Sequence, residues 1–144
     1  MGELGRIAKE FTDAFNAHDE ERIRAGYADD ARFWAPGAEG LDGAEGATEY
    51  AMGFIRAFPD VRITTDNEID AGDWIALEFT YEGTHTGPLA NPDGTEIPPT
   101  NRRVTGKGVD ILKIEDGKVV EEHIYFDQLE FLAQLGLAPE QAAV

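Results

Sequence analysis

The chain has 144 residues, 42% of them hydrophobic, enough to bury one core and too few for two ordinary domains, so a single domain spanning residues 1–144 is expected. A net charge of −17, with Lys and Arg dispersed along the chain, repels phosphate backbones and anionic lipid, and so argues against a nucleic-acid or membrane partner. The absence of cysteine excludes disulfides, thiol catalysis and Cys-ligated metals; with no leader pattern and no apolar run of about eighteen residues, a cytoplasmic location is expected.

Leu4, Ile7, Ala8, Phe11, Ala14, Phe15 and His18 recur at i, i+3, i+4 and i+7, the spacing of an amphipathic helix. Asp19, followed by Glu20 and Glu21, predicts an N-cap and a short second helix that buries Ile23 and Tyr27. A strand, ARFWAP, comes next. Asp42 is placed to cap a third helix whose buried stripe is Ala47, Tyr50, Ala51, Phe54, Ile55 and Phe58, stopped by Pro59.

Beyond Pro59 the hydrophobic period changes to two, in VRITTDNEI, WIALEFTYEGTHT, RRVTGKGVDILKI and KVVEEHIYF. These predict a meander of antiparallel strands. The segment GPLANPDGTEIPPTN, with four prolines and two glycines, predicts an irregular loop long enough to border a mouth. The chain closes with a helix, DQLEFLAQLG, ending at Gly136. Asp127 and Glu130 make a capping-box-like pair at its start, so Asp127 reads as a cap rather than a catalyst. Helices followed by a run of strands predict an α+β fold, with helices on one face of a curved antiparallel sheet.

The opening FTDAFNAHD, the segment EGTHTG, the run PPTNRR and VDILKIEDGKVVEE followed by QLG together resemble the SnoaL-like polyketide cyclases of the nuclear transport factor 2-like superfamily, over nearly the whole chain. The resemblance implies a cone-shaped α+β fold, a deep hydrophobic cavity between sheet and helices, a homodimer, and cofactor-free intramolecular aldol chemistry. It also places family positions on this chain. The cyclases' catalytic aspartate falls on Ile124, the histidine two residues before it on Glu122, and a cavity histidine of the preceding strand on Asp110. A histidine after the long middle strand is retained as His85, and an early cavity asparagine falls on Trp34. Isoleucine moves no proton, so this chain departs from the aldol apparatus at Ile124.

The turn between the last two strands selects the cavity face. A two-residue loop, Asp116-Gly117, sets Glu115 against Lys118 and Asp110 against His123. A three-residue loop including Glu115 sets Ile114 against Lys118, Asp110 against Glu122, Gly108 against Ile124 and Gly106 against Phe126. The second is preferred, because it separates an apolar face holding two acids from a face with His123, Tyr125 and charged residues. Its glycines would leave room for a ligand.

Paired acids in an apolar cavity cannot both ionise cheaply, so Asp110 and Glu122 are the expected general acid and base. An alternative is that one acid faces solvent or pairs with Arg102 or Arg103. His85 is a candidate to orient or protonate a substrate carbonyl; its alternative is a histidine bonded to loop backbone. His18 reads as a C-terminal helix cap. Trp34, Phe54, Tyr81, Ile124 and Phe126 are the candidate substrate-binding residues. Three separated histidines and dispersed acids offer no metal spacing.

The expected function is a cofactor-independent acid–base enzyme acting on a small hydrophobic carbonyl compound; the alternative is a non-catalytic module that binds a small molecule or a partner. Four lysines against eight arginines, with the strong acidity, fit either a high-salt host or an ordinarily acidic bacterial enzyme.

Overall fold

Helix α1 (Glu3–Asn16) forms where the 3.6-residue pattern lies, with Ala8 and Ala14 deepest and Leu4, Ile7, Phe11 and Phe15 packed beside them. The computed structural model describes residues 2–38, 41–91 and 93–137; the expected domain's last residues, 138–144, and Pro92 of the long loop lie outside the described residues. Just past α1, His18 takes a positive φ of 55° and its Nε2 donates to the Val61 carbonyl at 2.9 Å. Asn16 meets both backbone polar groups of Ile63 at 2.8 Å each. The end of the helix is thereby strapped to the sheet, and His18 serves as part of that strap as well as ending the helix.

Helix α2 (Glu20–Ala25) is capped by Asp19, which accepts the Arg22 N–H at 3.2 Å. It stops short of Tyr27, contrary to the helical expectation, because Tyr27 opens strand β1 (Tyr27–Trp34) and pairs with Val119. Helix α3 (Gly43–Ala57) buries Ala47 and Ile55, with Tyr50, Ala51 and Phe54 partly covered; Asp42 precedes it but its side chain makes no capping hydrogen bond.

Strands β2 (Arg62–Ala71), β3 (Trp74–Thr84), β6 (Arg103–Glu115) and β7 (Lys118–Phe126) form the expected meander. The intervening loop carries a small hairpin of β4 (Leu89–Ala90) and β5 (Glu96–Ile97), where irregular chain was expected. In the main sheet the order is β1-β7-β6-β3-β2, with β1 parallel to β7. The sheet is therefore mixed rather than antiparallel. A tight turn forces antiparallel pairing, but no turn joins β1 to β7, and their alignment is free to be parallel.

The register at the last hairpin differs from expectation at two points. The loop is Asp116-Gly117, both at positive φ (52° and 76°), so Glu115 pairs with Lys118 and Ile114 with Val119. A bulge then leaves Val120 unpaired, and the ladder resumes with Lys113 on Glu121, Leu112 on Glu122 and Asp110 on Ile124. The shorter loop would turn the strand over; the bulge turns it back. Asp110 and Glu122 thus share the inner face as diagonal neighbours instead of directly opposed residues.

Helix α4 (Gln128–Gln134) starts at Asp127, which accepts the Glu130 N–H at 3.0 Å. It ends with Leu137 N–H on the Leu132 carbonyl (2.9 Å) and Gly136 N–H on that of Ala133 (3.0 Å), the paired bonds of a glycine-closed helix end. Phe131 from α4 joins Phe58 and Leu135 in the core between helices and sheet.

Candidate active site

A cavity of about 130 Å³ lies between the inner face of the sheet and the helices. Phe11 and Phe15 come from α1, Tyr50 and Phe54 from α3, Phe131 from α4, and the sheet supplies the floor. On β3, alternate residues Leu77, Phe79 and Tyr81 point inward; on β7, Glu122, Ile124 and Phe126 do so.

Glu122 is 2% exposed and accepts a hydrogen bond from the Tyr27 hydroxyl at 2.5 Å. Asp110 lies within hydrogen-bonding reach of Glu122. Parts of the Asp110 residue remain accessible, but its Oδ1 is sealed off and has no hydrogen-bond partner. Burial, then the charge of Glu122, pushes the Asp110 carboxyl well above the usual carboxylate range. Burial also raises Glu122, but the hydrogen bonds from Asp110 and Tyr27 pull it back. The Tyr27 hydroxyl favours charge on Glu122 and nothing donates to Asp110 Oδ1, so of the two acids Glu122 is the better placed to ionise. Burial holds the Tyr27 phenol well above its ordinary value, so it remains a donor.

Tyr27 was missed by the sequence reading. Assigned to the back of a helix, it is the first residue of β1, 5% exposed, with Phe11 edge-on at 5.0 Å. Its signal was available only as Gly26, a helix-ending residue just before it.

The other candidates separate clearly. Phe54, Tyr81, Ile124 and Phe126 line the cavity. Trp34 does not: it is 41% exposed on the outer face, stacked on His123 at 4.4 Å, and the inward residue of that strand end is Phe33. Strand alternation makes neighbours face opposite ways, so a displacement of one residue in the expected position puts the wrong ring inside. His85 is fully buried but is not among the cavity-lining residues; it stacks on Phe58 at 5.1 Å. Its Nδ1 accepts the Thr100 N–H at 3.2 Å and contacts Thr100 Oγ1 at 3.0 Å, which places the neutral ring's proton on Nε2. Burial lowers its pKa. His85 thus joins β3 to the loop at Thr100, as in the loop-bonded alternative.

Gly106 and Gly108 also work differently from expectation. A Cβ at Gly108 would lie 2.6 Å from Phe79 Cζ, and one at Gly106 would lie 2.5 Å from the Tyr81 hydroxyl. The room opposite these glycines is filled by the cavity's own aromatic side chains. Arg103 pairs with Glu82 at 2.9 Å, so it does not neutralise either acid. Among the described residues no group of His, Asp and Glu is arranged to hold a metal ion, and no helix is long and apolar enough to cross a membrane.

The chain is 30% identical over 87 residues to the nogalonic acid methyl ester cyclase of Streptomyces nogalater, an alignment covering 59% of this chain and 61% of that protein. Its structure resembles TsrD from Streptomyces laurentii, with a TM-score of 0.79 and 25% identity over 93% of this chain and 95% of the other. It also resembles a nuclear transport factor 2-like protein from Burkholderia pseudomallei, with a TM-score of 0.73 and 22% identity over 94% and 98% of the two chains. The model of the SnoaL-like polyketide cyclases matches residues 6–135, nearly the whole α+β framework that carries the acid pair, and the chain belongs to that family.

Proposed function

We propose that the protein is a cofactor-independent acid–base enzyme of the cyclase or isomerase type, acting on a small hydrophobic carbonyl compound. The observation that carries this reading is the Asp110–Glu122–Tyr27 cluster at the wall of a mostly apolar cavity. Glu122, ionised, removes a proton from the carbon next to the carbonyl. Asp110, holding its proton, donates to the oxygen on which enolate charge develops, a use of a neutral carboxylic acid that burial makes possible at neutral pH. The enolate carbon is then reprotonated, for isomerisation, or attacks a second carbonyl, for ring closure. Tyr27 holds one oxygen of Glu122 in place.

The cavity's size limits what enters. Apolar cavities of about 150 Å³ take up benzene, so 130 Å³ admits roughly one ring of a substrate at a time. The second reading, a non-catalytic binding module, draws on Ile124, which stands where the resemblance puts the cyclases' catalytic aspartate.

Deuterium exchange into single-ring methyl ketones and β-keto esters, followed by NMR, tests the two readings. Glu122→Gln is expected to lose about 10²-fold or more of the exchange rate and Asp110→Asn at least about tenfold. Tyr27→Phe should keep activity but move its acid limb to higher pH, because Glu122 loses a donor that favours its charge. Losses below about tenfold in both acid variants would refute the assignment; ligand binding without exchange would favour the binder.

A further inference from the structure

Among the described residues that line the cavity, every titratable side chain is an acid: Asp110, Glu122, Tyr27, Tyr50 and Tyr81. No lysine, arginine or histidine lines it. The acid pair is also short of donors. Tyr27 satisfies Glu122 Oε1, but Asp110 Oδ1 is buried with nothing to accept from. A carbonyl ligand can accept the Asp110 proton but brings no donor and no charge; an ammonium group brings three donors and the missing positive charge. The walls suit the same guest, because aromatic rings attract cations through their faces, and rings such as Phe11, Phe33, Tyr50 and Phe54 surround the space. The net charge of −17 draws cations towards the protein.

We propose that the cavity takes a small hydrophobic amine of about one ring, bound as its ammonium ion, with its N–H donors directed at the Asp110–Glu122 pair and its hydrocarbon among the aromatic walls. This goes beyond the acid–base reading and does not need turnover. In an enzyme the amine is a competitive inhibitor; in a binding module it is the cargo.

Calorimetric titration of the whole chain with benzylamine and with its neutral counterpart, benzyl alcohol, decides the point. Benzylamine is expected to bind at least about tenfold more tightly than the alcohol. Glu122→Gln should reduce that preference to about threefold or less. Glu115→Gln, which removes an equal charge at the exposed hairpin turn, should keep the preference. If the variant fails to fold, the wild type supplies the same readout: burial raises the Glu122 carboxyl, so the preference should disappear once the pH is lowered below the ordinary glutamate value of about 4.3. Equal affinities for amine and alcohol in the wild type, no binding of either, or a preference that survives Glu122→Gln or the fall in pH would each overturn the proposal.

Discussion

Asp110, half-buried with its Oδ1 sealed, and the fully buried His85 bias stability in opposite directions as pH changes. The folded-state pKa of Asp110 lies above its unfolded value, so the folded chain binds more protons than the unfolded chain between the two. Its contribution is fully present below the unfolded value of about 3.9 and is lost as pH rises towards the raised folded value. His85 is depressed, so its contribution is present above about pH 6.5 and is lost as pH falls through that unfolded value towards the lower folded one. The wild-type curve mixes the two; comparison with Asp110→Asn isolates the carboxyl. The melting temperature of the wild type is expected to fall relative to that of Asp110→Asn as pH is raised from about 4 to about 8. Parallel curves would show that Asp110 is not the buried proton carrier.

At the scale of elements, the quoted motifs prove to be joints of the fold. Asn16 and His18 of FTDAFNAHD strap α1 to the sheet, and His85 of EGTHTG meets Thr100 of PPTNRR. The hairpin in VDILKIEDGKVVEE sets which residues face the cavity. Gly108 sits in that ladder under Phe79, and an added Cβ would also come within 2.7 Å of the Tyr125 carbonyl oxygen, which is backbone and cannot rotate away. Gly108→Ala is therefore expected to destabilise the fold by about 1–3 kcal/mol in urea unfolding. Gly53→Ala, in α3 with nothing within 4 Å of the new atom, is expected to stabilise by about 0.5–1 kcal/mol. Equal effects at the two sites would remove the close-packed account of β6.

Across the whole molecule, the sheet has one face in the core and an outer face that is rich in rings. Trp34 stacks on His123 at 4.4 Å, Tyr125 follows at 6.4 Å, and Trp74 lies 6.1 Å away, with Arg32 over Trp34 and Lys113 over Trp74. Tyr125 is 57% exposed. We propose this face as the contact between two copies of the chain, since exposed Trp and Tyr rings such as Trp34 and Tyr125 are the side chains that anchor protein contacts and a two-fold contact pairs a patch with itself. Light scattering on the eluting protein is expected to give a dimer mass that Trp34→Ala with Tyr125→Ala lowers towards that of one chain. A wild-type monomer, or a dimer indifferent to both changes, would remove the proposal.

The sequence by itself determined the helices, the four-strand meander and the capped last helix, because these depend on local periodicity and on residues a few positions apart. It also put Asp110 and Glu122 on one face, although by a loop one residue too long and without the bulge at Val120, two one-residue differences that restore the same strand alternation. Only the tertiary structure decided that Tyr27 completes the acid pair, that Trp34 faces outward, and that His85 bonds to the loop instead of entering the cavity. Each of these depends on a contact between segments far apart in the chain. Val119, which receives Tyr27 in the sheet, is ninety-two positions from it, and no local pattern encodes that pairing.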